Sequence, residues 1–187
     1  MNKTKRKIFE TSMELFAQKG YEATSIEEIT ATVGVAKGTL YYHFSSKEEI
    51  FNFLAIEGMK LLKNSVEIKT SRLENSIDKL KAIILIQIKI LVKYQNFITI
   101  LLSQIWGMEN RNTIFRGYVF DHIKMMENII LEGMKKGEIK EGNADVIASG
   151  IFGLISSGLI YRLKTEKELD VNQIAEEYSK YILKGLN

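Results

Sequence analysis

A ten-residue stretch of the chain, VAKGTLYYHF, places one cation beside several hydroxyl and ring donors. Lys37 can donate to a phosphate or to the acceptor atoms of a guanine, and Thr39 can contact a phosphate or a thymine methyl group. Between them Gly38 has no side chain, so the backbone can approach a partner closely. The stretch therefore has the chemistry of a surface that contacts the backbone and base edges of DNA.

The aromatic residues of this stretch have two interpretations, because a tyrosine can fill a core or present its hydroxyl to a partner. Leu40 and Phe44 are four residues apart on one helical face, which assigns both to the core. Adjacent residues on a helix point about 100° apart, so Tyr41 and Tyr42 face different surroundings. We expect Tyr42 to be the more exposed and, with His43, to donate to phosphate oxygens, which position a protein on DNA without reading its sequence.

Short helices hold this stretch in place. Apolar periodicity predicts a first helix over about residues 4–19, which ends at Gly20. Ser25 opens a second helix with the pattern of a capping box, Gly34 ends that helix, and a third helix follows over 36–43. Two short helices joined by a tight turn with glycine are typical of a helix-turn-helix, whose second helix lies in the major groove.

Residues on either side of the helix-turn-helix can add contacts to phosphate. Thr24 and Ser25 stand at the start of the second helix, where backbone donors and the helix dipole favour an anion. Lys47 opens a fourth helix and offers another cation. A cluster of cations near the N-terminus is either a solvated terminus or an arm on DNA; it consists of Lys3, Lys5, Arg6 and Lys7.

The composition of the 187-residue chain favours an all-α protein that is not an enzyme. There is no proline, and no long alternating pattern predicts a strand. The absence of cysteine excludes a disulfide framework, a thiolate metal site and a catalytic thiol. No metal-ligand cluster and no nucleophile–histidine pair has a recognisable spacing. We therefore expect no catalytic residue, no cofactor and no metal.

The sequence also predicts a cytoplasmic protein with a net charge of +3, which permits binding to nucleic acid. The N-terminus is not followed by the apolar region of a signal peptide. The most apolar run, 82–92, is interrupted by Gln87 and Lys89 and is too short to span a membrane. Further helices are predicted over about 74–94, 96–106, 112–136, 143–164 and 171–185.

The segment IFETSMELFAQKGYEATSIEEITATVGVAKGTLYYHFSSKEEIF, Ile8 to Phe51, resembles the DNA-binding domain of TetR-family transcriptional regulators. The resemblance implies an all-helical protein with an N-terminal three-helix DNA-binding domain over 1–46 and a C-terminal bundle over 47–187. The family's DNA-contacting positions fall on Thr24, Ser25, Lys37, Gly38, Thr39, Tyr41, Tyr42, His43 and Lys47. One departure is Ala36, since many relatives carry a serine there, which caps the recognition helix.

The resemblance further implies a homodimer and a small-molecule effector bound inside the bundle. Apolar and aromatic residues at helical spacing are candidate cavity residues, although such residues more often fill a core than contact a ligand: Met59, Leu62, Ile84, Ile88, Leu91, Leu102, Trp106, Phe115, Tyr118, His122 and Met126. The scarcity of acids in this set indicates a hydrophobic or weakly polar effector.

A stretch of small residues near the C-terminus has two interpretations. Glycine costs roughly 0.8–1 kcal/mol relative to alanine inside a helix, so the glycines of SGIFGLISSGLI indicate close helix packing, either within the subunit or across a dimer interface. The resemblance favours the dimer, with interface positions at Gly150, Gly153, Ser157, Gly158, Tyr161, Tyr178 and Ile182.

The resemblance, together with these features, implies a ligand-responsive repressor that leaves a palindromic operator when its effector binds. Two alternatives stay open. One is a helical carrier or enzyme acting on hydrophobic small molecules that retains a helix-turn-helix, and the other is a DNA-binding structural protein without an effector.

Overall fold

The computed structural model describes residues 2–95, 98, 101, 113–165 and 170–186. The described residues form eight helices and no strand, which confirms the all-α prediction. In chain order the helices are α1 (Lys3–Lys19), α2 (Ile26–Val33), α3 (Lys37–His43), α4 (Lys47–Thr70), α5 (Ser76–Lys93), α6 (Thr113–Lys135), α7 (Ala144–Thr165) and α8 (Val171–Lys184). All eight begin, and where an end was predicted also end, within about two residues of the prediction. The helix predicted over 96–106 lies largely outside the described residues.

The chain divides into two compact units, each with its own core. One comprises Met1–Gly58 with Tyr94–Arg116, and the other Met59–Lys93 with Gly117–Asn187. Fully buried side chains of the first unit include Ile8, Phe16, Ile29, Leu40, Ile50 and Leu54. Those of the second include Leu80, Ile83, Ile84, Ile88, Met126 and Ile155. The domain boundary predicted between residues 46 and 47 stays a prediction. In the structure α4 begins at Lys47, directly after this point, and continues to Thr70.

Side-chain caps explain where several helices begin. The Ser25 hydroxyl accepts a hydrogen bond from the Glu28 backbone N–H at 3.1 Å, which is one half of the predicted capping box. The Glu28 carboxylate does not complete the box, because it pairs with Lys19. At α8, one carboxylate oxygen of Asp170 accepts from two backbone N–H groups at 2.9 and 3.1 Å.

Glycines end α1 and α2 in different ways. Gly34 follows α2 in the left-handed conformation, with φ +75° and ψ 40°, as expected for a helix C-cap. Gly20 follows α1 with φ +87° and ψ 163°, an extended conformation with positive φ that favours glycine equally strongly. The tight turn at Gly34 directs the chain from α2 into α3.

Helix α7 is unusually apolar for its degree of burial. Within the described residues, the segment Ala144–Leu163 has the length and composition of a membrane span, with a mean hydropathy of 1.6 and 33% of its residues buried. Its exposed side chains include Leu154 and Tyr161, which are 59% and 70% exposed. The buried side of the helix packs on α5.

Candidate nucleic-acid interface and ligand cavity

The short helix α3 is anchored by one face and presents the other to solvent. Leu40 is fully buried and Phe44 is 2% exposed, with its ring 5.1 Å from the ring of Phe53. On the opposite side Tyr42 is 85% exposed and Tyr41 46% exposed. The prediction that this stretch combines a core face and a solvent face is confirmed, including the greater exposure of Tyr42.

The exposed face of α3 concentrates hydrogen-bond donors. Lys37, Gly38 and Thr39 are all exposed in its first turn. A Cβ atom added at Gly38 would meet no atom of the chain within 4 Å, so no packing inside the chain requires a glycine there. The His43 ring stands edge-on to that of Tyr42 at 5.1 Å. This arrangement can give several donors to one strand of phosphates while the helix backbone approaches closely.

Lys37 is paired with an acid from the preceding helix. Its ammonium group bonds the carboxylate of Glu27 in the first turn of α2, and it lies 5.9 Å from the centre of the Tyr41 ring. The hydrogen bond from Lys37 lowers the pKa of Glu27, and the bond to Glu27 raises the pKa of Lys37. Lys37 therefore stays charged, and an anionic partner has to compete with Glu27 for it.

The start of α3 lacks a side-chain cap, as the sequence predicted. Ala36 is the N-cap residue and contributes no side-chain hydrogen bond. Its carbonyl accepts from the backbone N–H groups of Thr39 and Leu40 at 2.9 and 3.3 Å. The N-terminal donors of α3 are thus left without a hydroxyl partner from this residue.

Thr24 and Lys47, both predicted to contact phosphate, use their side chains inside the unit. The Thr24 side chain is buried, and its hydroxyl donates to the Gly20 carbonyl at 2.9 Å. The Lys47 ammonium donates to the carbonyls of Tyr21 and Thr24 at 2.9 and 3.1 Å and lies 4.3 Å from the centre of the Tyr21 ring. These contacts fix the loop between α1 and α2. Their phosphate contacts stay predictions, and the Thr24 backbone N–H also donates within the loop, to the Tyr21 carbonyl at 3.3 Å.

The cationic cluster at the N-terminus is helical rather than frayed. Asn2 caps α1 by accepting from the Lys5 backbone N–H at 2.8 Å. The Lys5 ammonium lies 4.6 Å from the centre of the Phe53 ring and 5.1 Å from that of Phe44, where it covers the edge of the core. Arg6 pairs with Glu10 at 2.9 Å.

A cavity of about 730 Å³ lies within the second unit, between α4, the start of α5 and α6. Its size is in the range of small-molecule sites. Apolar and aromatic side chains form part of the wall: Met59, Tyr118, His122, Met125 and Ile129. Charged side chains of both signs form another part: Lys63, Glu67, Lys79, Asp121, Lys124 and Glu132.

The structure separates the predicted effector residues into four groups. Met59, Tyr118 and His122 line the cavity. The aliphatic and Met side chains predicted beside them are buried, and none lines this cavity: Leu62, Ile84, Ile88, Leu91 and Met126. Leu102 and Trp106 lie outside the described residues, and Phe115 is buried in the other unit. The wall carries more charge than the predicted set. The charged wall residues such as Lys63 and Glu67 were not predicted, because their spacing is that of any solvated helix face.

His122 is the one cavity residue whose polar atoms are buried and unpaired. The side chain is 5% exposed, and neither Nδ1 nor Nε2 has a hydrogen-bond partner. Burial lowers the pKa of the imidazole to about 4, so the ring is neutral near pH 7. Its ring centre lies 6.3 Å from that of Phe152 on α7.

The small residues of α7 divide between packing inside the chain and open surface. A Cβ added at Gly158 would overlap the Tyr178 hydroxyl of α8, so a larger residue at this position would require the Tyr178 side chain to shift. At Gly150 and Gly153 an added Cβ would meet nothing within 4 Å. Ser157 and Tyr161 are exposed, and Ile182 is half-buried. The open positions stay available to a second subunit.

Comparison with known proteins identifies the family. The sequence model of bacterial regulatory proteins of the TetR family matches residues 8–54. The chain is 29% identical to YerO, an uncharacterized HTH-type transcriptional regulator of Bacillus subtilis, and spans 64% of that protein's length.

Two solved structures extend the similarity over the full chain. One is a candidate fatty acid metabolism regulator of Clostridium perfringens, 34% identical, with 97% of this chain and 98% of that chain covered and a TM-score of 0.79. The other is the regulator FadR of Bacillus subtilis in complex with stearoyl-CoA, 22% identical, with 97% and 99% covered and a TM-score of 0.83, a similarity of fold. With its helix-turn-helix and a full-length relative above 30% identity, the chain belongs to the TetR family of bacterial transcriptional regulators.

Proposed function

We propose that the protein is a cytoplasmic repressor that binds a palindromic DNA operator as a homodimer and leaves it when a small molecule occupies the cavity. The exposed donor face of α3 carries the first part of this proposal. Lys37, Thr39 and Tyr42 point away from the residues that anchor the helix, so they can contact DNA without disturbing the core. Contacts from α3 to both base edges and phosphates are those expected of a recognition helix.

The exposed apolar surface of α7 and α8 supports the homodimer. Leu154, Tyr161 and Tyr181 are 59%, 70% and 77% exposed, and Gly150 and Gly153 leave the α7 backbone open to close approach. A second copy of this surface would cover these side chains in a two-fold arrangement. Two recognition helices related in this way would contact half-sites about 34–36 Å apart.

The cavity wall supports an effector that has both an apolar chain and an anionic group. Met59, Met125 and Ile129 offer apolar surface. Lys63, Lys79 and Lys124 bring ammonium groups to the same cavity, each paired with a glutamate with which an anionic group would compete. The related structures concern fatty acid metabolism and a stearoyl-CoA complex. We therefore propose a fatty acyl-CoA as the effector class, bound better by the state with low operator affinity, since only such a difference can shift the equilibrium.

The test starts from operator selection. The full-length protein should enrich inverted-repeat duplexes from a random library, and the affinity for the enriched duplex should fall steeply with salt, as phosphate contacts require. Palmitoyl-CoA and octanoyl-CoA should then release the protein from that duplex, measured by fluorescence anisotropy. A protein that binds the acyl-CoA compounds but enriches no duplex would support the carrier alternative and contradict the repressor.

Glu27→Gln is expected to strengthen binding to DNA of any sequence. The substitution removes the carboxylate that competes with phosphate for Lys37. One additional phosphate contact makes the slope of log K against log[salt] steeper by about 0.9. When the salt concentration falls from 200 to 50 mM, the variant should therefore gain about threefold more affinity than wild type gains. Anisotropy titrations on selected and random duplexes at several salt concentrations measure both quantities.

Glu22→Gln is the matched control, because Glu22 is an exposed acid of the same unit. An equal gain from this control would mean that net charge alone matters. The role of Glu27 as a competitor for Lys37 would then be wrong.

A further inference from the structure

His122 occupies an unusual position in the cavity wall. It lines the cavity together with Met59, Met125 and Ile129, and both ring nitrogens are shielded from solvent without a hydrogen-bond partner. Buried polar atoms in proteins are almost always paired, so each exception requires an explanation. An unpaired imidazole next to a cavity is explained if its partner is supplied by a bound molecule.

The protonation state of His122 restricts that partner. Burial holds the pKa of the ring at about 4, and none of its nitrogens bonds a carboxylate. The acids of the wall, Glu67, Asp121 and Glu132, are exposed or paired with lysines, and none forms a hydrogen bond with the ring. A neutral imidazole offers one N–H donor and one acceptor. It therefore suits an uncharged acceptor such as a carbonyl, whereas a carboxylate would favour a protonated ring.

We infer that His122 is the residue that recognises the acyl thioester itself, with an imidazole N–H donating to the thioester carbonyl oxygen. This inference rests on the proposed function. Both nitrogens are shielded as placed, so the ring has to rotate about its side-chain torsions to meet the carbonyl, and no hydrogen bond opposes that rotation. The acyl chain would then extend along Met59, Met125 and Ile129, and the wall lysines would be near the nucleotide end.

This role also gives the effector a means of changing the state of the protein. Without a bound carbonyl the ring nitrogens are buried and unsatisfied, which disfavours that state. With the carbonyl bound, the penalty is removed for one nitrogen. This hydrogen bond shifts the equilibrium only if the state with low operator affinity lets the ring meet the carbonyl and the operator-binding state does not.

The experiment compares palmitoyl-CoA with S-hexadecyl-CoA, a thioether that lacks only the carbonyl oxygen. Wild-type protein should bind the thioester about tenfold more tightly, the size expected for one well-formed hydrogen bond to a buried group. His122→Phe keeps a planar ring beside Phe152 and should bind the two compounds within about twofold of each other. The His122→Phe substitution should weaken binding of the thioester and leave the affinity for the thioether almost unchanged. Isothermal calorimetry measures all four affinities.

Two further variants separate recognition from general disturbance. Tyr118→Phe removes another polar group of the same wall and should keep the preference for the thioester. His122→Asn retains a side-chain N–H donor and should recover part of the preference, and it also serves if His122→Phe does not fold. Circular dichroism melting checks the fold of each variant.

Each outcome is decisive. A wild-type protein that binds thioester and thioether equally, or a preference that survives in both His122 variants, would overturn the role of His122 while leaving acyl-CoA as the effector. Binding of neither compound would overturn the proposed effector class and the inference with it.

Discussion

Phe44→Ala is expected to destabilise the N-terminal unit by about 3–5 kcal/mol, the usual cost of truncating a fully buried phenylalanine. Phe44 is 2% exposed, its ring packs on that of Phe53, and the Lys5 ammonium lies over its face. The substitution removes the residue that ends α3 and ties it to the core. Operator binding should be lost, and the amides of α3 should lose their protection from hydrogen exchange. The recognition helix has only seven residues, so it depends on the core contacts of Leu40 and Phe44 for its stability.

Tyr42→Ala is the matched comparison, two positions away on the exposed face. Its side chain is 85% exposed, so the stability of the unit should stay within about 0.5 kcal/mol of wild type. Operator affinity should nevertheless fall about tenfold or more, because a hydrogen bond to a charged phosphate is lost. Hydrogen exchange of peptides from α1 to α3 measures local stability, and anisotropy measures affinity. Equal destabilisation by both substitutions would contradict the division of α3 into a core face and a DNA face.

The N-terminal unit was predictable because its determinants are local. The Gly34 turn, the Ser25 cap and the four-residue spacing of Leu40 and Phe44 act over a few positions, and each appears in the structure as the sequence predicted. The roles of Thr24 and Lys47 were not predictable in this way. Lys47 bonds carbonyls 23 and 26 positions earlier in the chain, and nothing in its local sequence distinguishes this contact from a solvated lysine.

The position of the cavity could not be predicted from the apolar periodicity of the sequence. Apolar spacing identifies a helix face that avoids water, but it does not distinguish a filled core from an empty space beside it. Gly153 and Gly158 illustrate the same limit, since they share one helix and differ only in whether Tyr178 lies opposite. Charged wall residues such as Lys79 were missed because their spacing matches an ordinary exposed face, and only the tertiary fold places them around the cavity.

Two neighbouring methionines of α6 allow the boundary between core and cavity to be measured. Met126 is fully buried and lies outside the cavity wall, whereas Met125 is half-buried and lines it. Met126→Ala should lower the free energy of unfolding of the second unit by about 2–5 kcal/mol, because it leaves a void in close-packed surroundings. Hydrogen exchange of α5 and α6 peptides reports this loss directly.

Met125→Ala should instead weaken palmitoyl-CoA binding and change the stability of the unit only slightly. A side chain beside an existing cavity loses fewer packing contacts, so the cost in stability should stay below about 1 kcal/mol. Palmitoyl-CoA affinity should fall about tenfold, since two or so methylene equivalents of apolar contact are removed from the acyl chain. Equal destabilisation by both substitutions would place Met125 in the core and exclude it from the effector site. Unchanged palmitoyl-CoA affinity in a stable Met125→Ala protein would show that the acyl chain does not lie along this wall.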